Sequence, residues 1–213
     1  LYGDSAKHGF VRGQDFYHPE MGFTFSVPSG FNIVNQPQQV VAASPSTGSV
    51  IVFDAASNKG GADAFTYLTQ SWMQNEPLGN AERIQINGMD AATASFEGRV
   101  NNRAATIRLI VVKWTADTFF RFQMAIPQGA PAALVEDLKR SSYSLRRLSA
   151  QEKASLKPYR VRIVTAQAGD TAATLARRMP YNDLQEDRFR TLNAMAPDEK
   201  VVAGRLYKII SEN

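Results

Sequence analysis

The stretch that decides the fold runs from residue 104 to residue 127 and reads AATIRLIVVKW, then TADT, then FFRFQMAIP. Two runs rich in β-branched and aromatic residues flank a short polar turn, a pattern that predicts a β-hairpin. In the first run Leu109 and Val111 alternate with Ile110 and Val112, so both faces of the strand are largely apolar. We therefore predict that this hairpin lies at the centre of a sheet that is covered on both sides.

The sequence upstream of this hairpin predicts further antiparallel strands. Runs of alternating or apolar residues are bounded by turn residues, and Asn87-Gly88 is the strongest short hairpin signal in the chain. The predicted strands are 23–27, 39–43, 49–55, 84–86 and 89–97. We expect the second and third of these to form an antiparallel pair.

Two helices are predicted to pack on this sheet. Asp63 can cap a helix over residues 64–75, and Pro131 lies in the first turn of a second helix. The apolar residues at helical spacing are Phe65, Leu68, Trp72, Leu134, Leu138 and Leu145. The resulting order, β-β-β-α-β-β-β-β-α, is typical of an α+β fold in which an antiparallel sheet is packed with two helices.

A smaller second unit is expected in the tail. Ser149-Ala150-Gln151-Glu152 matches a capping box and predicts a short linker helix. The elements predicted after it are a strand over 159–165, helices over 172–179 and 186–193, and a strand over 205–210. The predicted organisation is therefore a linker or disordered arm (1–9), an α+β domain (10–148), a linker helix (149–158) and a β-α-α-β module (159–213).

Composition excludes several function classes. The 213 residues are 44% hydrophobic and 21% charged, as in ordinary globular proteins. No window approaches the roughly 18 consecutive apolar residues of a membrane span, so no transmembrane segment is predicted. A formal charge of +4 is too small for a nucleic-acid-binding surface. The chain has no cysteine and no initiator Met, so we expect no disulfide and interpret it as a processed product or fragment.

The tail resembles a LysM module. The matching residues are Val161, Ile163, Gly169-Asp170-Thr171, Leu175-Ala176, Phe189, Leu192-Asn193, Gly204 and Tyr207-Lys208-Ile209. The resemblance implies binding of N-acetylglucosamine-containing glycans such as peptidoglycan, through loops 168–171 and 194–204. The glycan-binding residues that it implies are Gly169, Asp170, Thr171 and Asn193.

The larger domain resembles PsbP-like domains in the stretch Gly-Phe-x-Phe-x-Val-Pro-x-Gly-Phe at residues 22–31. Together with Gly9-Phe10-Val11-Arg12-Gly13 and the LysM-like tail, the order of motifs is similar to the C-terminal extension of bacterial zinc metallopeptidases of the HtpX and CAAX-prenyl-protease type. This resemblance implies a location in the periplasm or cell envelope. It also implies a zinc ion held by an upstream catalytic domain and no cofactor in this chain.

No catalytic motif is present in the sequence. The zinc peptidases need His-Glu-x-x-His on one helix, whereas the only histidines here are His8 and His18. His18-Pro19-Glu20 does not favour convergence on one ion, because the proline favours extended backbone before it. Two of the carboxylates could in principle act together as a general acid and base, but their positions at caps and strand ends favour structural roles. These carboxylates are Asp54, Asp63, Asp90 and Glu97.

Three functional hypotheses follow. The first is a non-catalytic accessory region of an envelope zinc metallopeptidase, which contacts its own upstream peptidase domain or another envelope protein. The second is a free-standing periplasmic binding protein whose tail binds peptidoglycan. The third, an independent hydrolase, is the least favoured, because the sequence lacks the side chains that hydrolysis at neutral pH needs.

Overall fold

The computed structural model of the chain describes residues 7–212. Within that range the chain forms two compact units, residues 7–153 and residues 154–212, which are described separately. Most of the sequence predicted to be an N-terminal arm, residues 1–6, lies outside the described residues.

The larger unit contains eleven of the described strands and three short or medium helices. Its strands are β1 (Phe10–Arg12), β2 (Asp15–His18), β3 (Phe23–Ser26), β4 (Asn32–Asn35), β5 (Gln39–Ala43), β6 (Val50–Ser57), β7 (Gly79–Ile86), β8 (Met89–Val100), β9 (Arg103–Lys113), β10 (Thr118–Pro127) and β11 (Arg146–Arg147). Its helices are α1 (Ala64–Tyr67), which continues as a π-helical segment (Leu68–Trp72), α2 (Ala132–Tyr143) and α3 (Ala150–Ser155). The last residues of α3 fall in the second unit.

The central hairpin, formed by β9 and β10, lies in the middle of a seven-stranded antiparallel sheet of order β4-β5-β6-β10-β9-β8-β7. Phe122 pairs with Ile110 on one side and with Phe53 on the other. The predicted pairing of β5 with β6 is also observed. The α+β class and the antiparallel sheet are confirmed.

Both faces of this sheet are covered, as the two apolar faces of β9 predict. Leu109 and Val111 are fully buried against α1 and the π-helical segment. Ile110 and Val112 are equally buried on the opposite face, in a core that includes α2 and a second sheet. The rings of Phe23 in that second sheet and Phe120 in the first lie 4.6 Å apart.

The second sheet is a correction to the single sheet predicted from sequence. It has four short strands in the order β1-β2-β3-β11, of which only β3 was predicted. Its last strand, β11, pairs with β3 through Arg146 and Arg147, more than a hundred residues along the chain. Strand β4 at the edge of the large sheet was also missed. Strands of two to four residues with distant partners leave little local periodicity to detect.

The first helix differs from the prediction over 64–75. Asp63 caps it as expected, since its carboxylate accepts the backbone N–H of Thr66 at 2.8 Å. After one α-helical turn the backbone changes to π-helical hydrogen bonding, in which the N–H of Met73 donates to the carbonyl of Leu68, and the helix ends at Trp72. The aromatic side chains of Phe65 and Trp72, which were predicted at helical spacing, pack beside the core on this face of the sheet.

The Asn87-Gly88 hairpin is confirmed and connects β7 with β8. Both residues have positive φ, 49° and 78°, as a tight two-residue hairpin turn requires. The side-chain amide of Asn87 also donates to the carbonyls of Tyr143 and Leu145, at 3.1 and 2.8 Å. Asn87 therefore fixes the turn and ties it to the end of α2.

The second unit has the β-α-α-β order predicted from sequence. Its elements are β12 (Tyr159–Thr165), α4 (Ala172–Ala176), α5 (Gln185–Leu192) and β13 (Leu206–Glu212). The two strands pair antiparallel from end to end, and its small core includes Leu175, Phe189 and Tyr207. Helix α4 is shorter than the predicted 172–179, because its last residues form a tighter turn.

No helix in residues 7–212 is both long enough and apolar enough to cross a membrane.

Replacing Asn87 with Gly tests the tie between the hairpin and α2. Glycine keeps the positive φ but removes both donors, so we expect the free energy of unfolding to fall by about 1–3 kcal/mol in urea denaturation. Asn101→Gly is the matched control: Asn101 also has positive φ in a hairpin turn, and its side chain makes no hydrogen bond within residues 7–212. Its effect is expected to stay within about 0.5 kcal/mol. Equal effects of the two substitutions would refute the tie.

Candidate functional site

The second unit contains a groove of about 380 Å³ between two loops, called here the two-loop groove. One wall is the loop before α4 and the start of that helix, and the other is the loop before β13. The lining residues are Asp170, Thr171, Ala172, Ala173, Glu186, Arg190, Asp198, Glu199, Lys200 and Val201. Two of the four predicted glycan-binding residues, Asp170 and Thr171, line it.

The first wall is fixed by helix capping. The hydroxyl of Thr171 accepts the backbone N–H of Thr174, and the hydroxyl of Thr174 accepts the N–H of Thr171 in return. Asp170 accepts the backbone N–H of Gln167 at 2.7 Å, which closes the turn. Gly169 has φ of 89°, so the turn needs a residue without a side chain there. Gly169 and Thr171 thus shape the groove more than they present free hydrogen-bonding groups.

The second wall is held by Arg190 on α5, a residue that sequence reasoning missed. Its guanidinium binds the carboxylate of Glu186 at 2.7 Å and donates to the carbonyls of Ala196 and Glu199, both at 2.9 Å. These bonds attach the loop to the helix at two points. An arginine one turn after a glutamate was the available signal, but its loop partners lie beyond any local pattern.

Asn193 lies elsewhere in the unit. Its side-chain oxygen accepts the N–H of Lys208 at 2.7 Å, and its amide donates to the carbonyls of Phe189 and Lys208, each at 2.9 Å. The amide therefore pairs with β13 as a neighbouring strand would, and ties the end of α5 to it. Its hydrogen-bonding groups are directed at the unit's own backbone.

The free polar groups of the two-loop groove are Asp198 and Lys200. Neither side chain makes a hydrogen bond or ion pair within residues 7–212, and both are exposed. Carboxylates outnumber cations along the lining, and the lining contains no aromatic ring. The groove is therefore suited to an uncharged ligand rich in hydroxyl and amide groups, and it disfavours a polyanion.

The larger unit has a separate cleft of about 500 Å³ that contains both histidines, called here the His18 cleft. The His18 ring stacks on Phe23 with 5.3 Å between centroids, and its Nδ1 accepts the backbone N–H of Met21 at 3.2 Å. Burial lowers the pKa of His18 from its usual value of 6.5, with the nearby His8 acting in the same direction and Glu20 opposing it. In residues 7–212 no three His, Asp or Glu side chains come together as a metal site.

Arg121 also lines this cleft and joins the large sheet to the first helix. It binds Asp54 through two hydrogen bonds of 2.8 and 2.6 Å and donates to the Tyr67 hydroxyl at 3.2 Å. Its guanidinium also lies 4.6 Å from the ring centroid of Trp72. Asp54, which the sequence left open as an acid–base residue, is therefore occupied in a structural ion pair.

Comparison with known proteins finds similarity in solved structures only: no family model matches, and no curated protein matches. The chain is similar to CyanoP, the cyanobacterial PsbP of Synechocystis sp. PCC 6803, with 14% identity over 65% of this chain and 98% of that one and a TM-score of 0.47. It is also similar to LpqN, a protein involved in cell envelope biogenesis of Mycobacterium tuberculosis (13% identity, 65% and 87% coverage, TM-score 0.46). A protein from Bacteroides thetaiotaomicron VPI-5482 gives 15% identity over 78% of this chain and a TM-score of 0.48, and this chain spans 57% of its length. One of these proteins is a PsbP, the type of domain that the sequence resembles, but likeness at this level identifies neither a family nor an activity.

Loss of Arg190 should loosen the second wall of the two-loop groove. In Arg190→Met we expect backbone amides of residues 196–205 to exchange with deuterium about tenfold faster, because two loop carbonyls and Glu186 lose a charged donor. Arg177→Met, on an exposed arginine of the same unit, is the control and should leave this exchange unchanged. If exchange is unchanged in Arg190→Met, the loop before β13 does not depend on Arg190 for its stability, and the prediction is wrong.

The lowered pKa of His18 predicts a pH dependence of stability. As the pH falls below 6.5, the imidazole of the unfolded chain binds a proton more readily than that of the folded protein. The contribution of His18 to the free energy of unfolding is therefore fully present above pH 6.5 and is lost as the pH drops. Urea denaturation from about pH 7 to about pH 5 should show a steeper loss for the natural protein than for His18→Asn, which retains an acceptor near the Met21 N–H. From about pH 7 to about pH 8 the two slopes should agree. Parallel curves over the acidic range would contradict the assignment.

Proposed function

We propose that this chain is a non-catalytic binding protein of the bacterial cell envelope, and that its second unit binds an N-acetylglucosamine-containing glycan in the two-loop groove. The observation that carries the proposal is the meeting of the loops before α4 and before β13 on one groove. These are the loops that the LysM resemblance assigns to glycan binding. The β-α-α-β order of the unit supports the same proposal.

The chemistry of the groove is compatible with such a ligand. Sugar hydroxyls and the acetamido N–H are uncharged donors, which the free carboxylate of Asp198 can accept, while Lys200 can donate to hydroxyl or acetyl oxygens. The hydrogen bond from the Gln167 N–H to Asp170 closes the turn that forms one wall, and Arg190 holds the loop that forms the other. A rigid groove reduces the ordering cost of binding a flexible oligosaccharide. Of the four residues implied by the resemblance, Asp170 and Thr171 line this groove, whereas Asn193 ties the end of α5 to β13.

Filling the groove tests the proposal directly. Ala173 is half-buried in the groove wall, and Ala173→Trp should reduce binding of chitotetraose in calorimetry, and co-sedimentation with purified peptidoglycan, by about tenfold or more. Ala154→Trp, on an exposed alanine of the same unit, is the matched control and should bind as the natural protein does.

Two results would overturn the glycan proposal. One is a natural protein that neither sediments with peptidoglycan nor binds chitotetraose. The other is equal binding by the two tryptophan variants, which would place the ligand outside the two-loop groove.

We further propose that the chain belongs to a zinc metallopeptidase of the envelope, in which the larger unit docks on the enzyme's own upstream domain or on another envelope protein. The order of the two units along the chain supports this proposal, and zinc would be held in the catalytic domain. The full coding sequence tests it: a His-Glu-x-x-His helix is expected upstream. Its absence would leave the free-standing binding protein as the remaining form of the proposal.

A further inference from the structure

A polar pocket of about 360 Å³ lies in the larger unit on the face of the seven-stranded sheet that packs against α2. We call it the Arg108 pocket. Its lining residues come from β7, β8, β9, β10 and α2. They are Asn80, Glu82, Thr93, Ala94, Ser95, Thr106, Arg108, Ile126 and Val135.

Strand register explains why these side chains meet. Arg108 on β9 pairs with Ser95 on β8, and two residues further on Ile110 pairs with Thr93, which in turn pairs with Glu82 on β7. Side chains two residues apart on a strand, and side chains of paired residues, share a face. Arg108, Ser95 and Glu82 therefore point to the same side as the core residue Ile110, where an apolar residue would be expected.

Arg108 is unpartnered in this position. Its Nε is buried and has no hydrogen-bond partner, and the side chain makes no ion pair within residues 7–212. By contrast, Arg121 is bound by Asp54 and the Tyr67 hydroxyl, and Arg147 lies 3.9 Å from the Trp114 ring centroid. A buried N–H donor without a partner costs free energy that an acceptor on a bound anion would recover.

Other polar groups of the pocket are also available. The side chains of Asn80, Glu82 and Ser95 make no hydrogen bond within the described part of the chain. Asn80 has φ of 51° and lies at a β-bulge between Gly79 and Glu82, which interrupts the regular pairing of β7 at this point. Bulges of this kind commonly redirect side chains at functional sites.

We propose that the Arg108 pocket binds a small molecule that carries both a carboxylate and an ammonium group, of which a free α-amino acid is the simplest. Nε and a terminal nitrogen of Arg108 form a planar pair of donors that matches a carboxylate. Glu82 supplies the acceptor for the ammonium group, and Ile126 and Val135 provide contact for a small apolar side chain. Glu82 also disfavours a doubly charged anion such as phosphate, because like charges in a small pocket repel.

The proposal is tested by titrating the full chain with three probes: L-alanine, acetate and inorganic phosphate. The readout is the NMR signal of the Arg108 side-chain Nε–H, assigned by its disappearance in Arg108→Met. L-alanine should shift this signal at roughly millimolar concentration, acetate more weakly, and phosphate least. If none of the probes shifts it, or if phosphate binds more tightly than L-alanine, the proposal is wrong.

Variants separate a ligand role from a structural one. Arg108→Met should weaken L-alanine binding by about tenfold or more while leaving the protein at least as resistant to urea, because it removes an unsatisfied donor. Arg108→Lys keeps the charge without the paired donors and should bind at an intermediate level. Glu82→Gln should weaken L-alanine and strengthen acetate. Arg103→Met, on an exposed arginine of the same strand, is the control and should change neither property.

A structural role for Arg108 would give a different result. Marked loss of urea resistance in both Arg108→Met and Arg108→Lys, with L-alanine still bound by the folded fraction, would refute the proposal. An unchanged ratio of L-alanine to acetate affinity in Glu82→Gln would refute the assigned role of Glu82.

Discussion

The constraint on which the larger unit depends is that its central strands are apolar on both faces. Leu109 and Ile110 are adjacent in β9, point in opposite directions and are both fully buried. Each buried side chain of this size stabilises the fold by about 1.5–3 kcal/mol, so neither face can remain open to water. One face is covered by the first helix and the other by α2 and the four-stranded sheet. The two added layers are thus required by the sequence of a single hairpin.

The aromatic cluster between the two sheets shows how that requirement is met. Phe23 and Phe25 from the small sheet lie against Phe53, Phe120 and Phe122 from the large one, with centroid distances between 4.6 and 5.3 Å. Tilted and edge-to-face pairs at these distances contribute beyond the area they bury. The short strands of the small sheet would not be stable alone, and they hold together because their phenyl rings form part of the larger core.

Sequence reasoning succeeded where the signal is local and failed where the partner is distant. The Asn87-Gly88 turn, the Asp63 cap and the β-α-α-β order of the second unit depend on neighbouring residues, and each was predicted. Strand β11 was not predicted, because it depends on pairing with β3, which lies more than a hundred residues away in the sequence. The candidate site shows the same contrast. The turn at Asp170 was predicted from its local motif, whereas the anchoring of the facing loop by Arg190 depends on contacts that no sequence spacing reveals.

The arginines of the chain differ in whether the fold supplies partners for their guanidinium groups. Arg121 and Arg190 are each matched by a carboxylate and further acceptors, so their desolvation is offset inside the protein. Arg108 occupies a core-facing position of a central strand without such a match, next to Ile126 and Val135, where a branched aliphatic side chain would pack without an unsatisfied donor. Local violations of this kind are expected where a site must meet a ligand, because groups that are satisfied within the fold have little left to offer one. The same reasoning separates Asn193, whose amide is fully used by α5 and β13, from Asp198 and Lys200, whose charges face the groove unpaired.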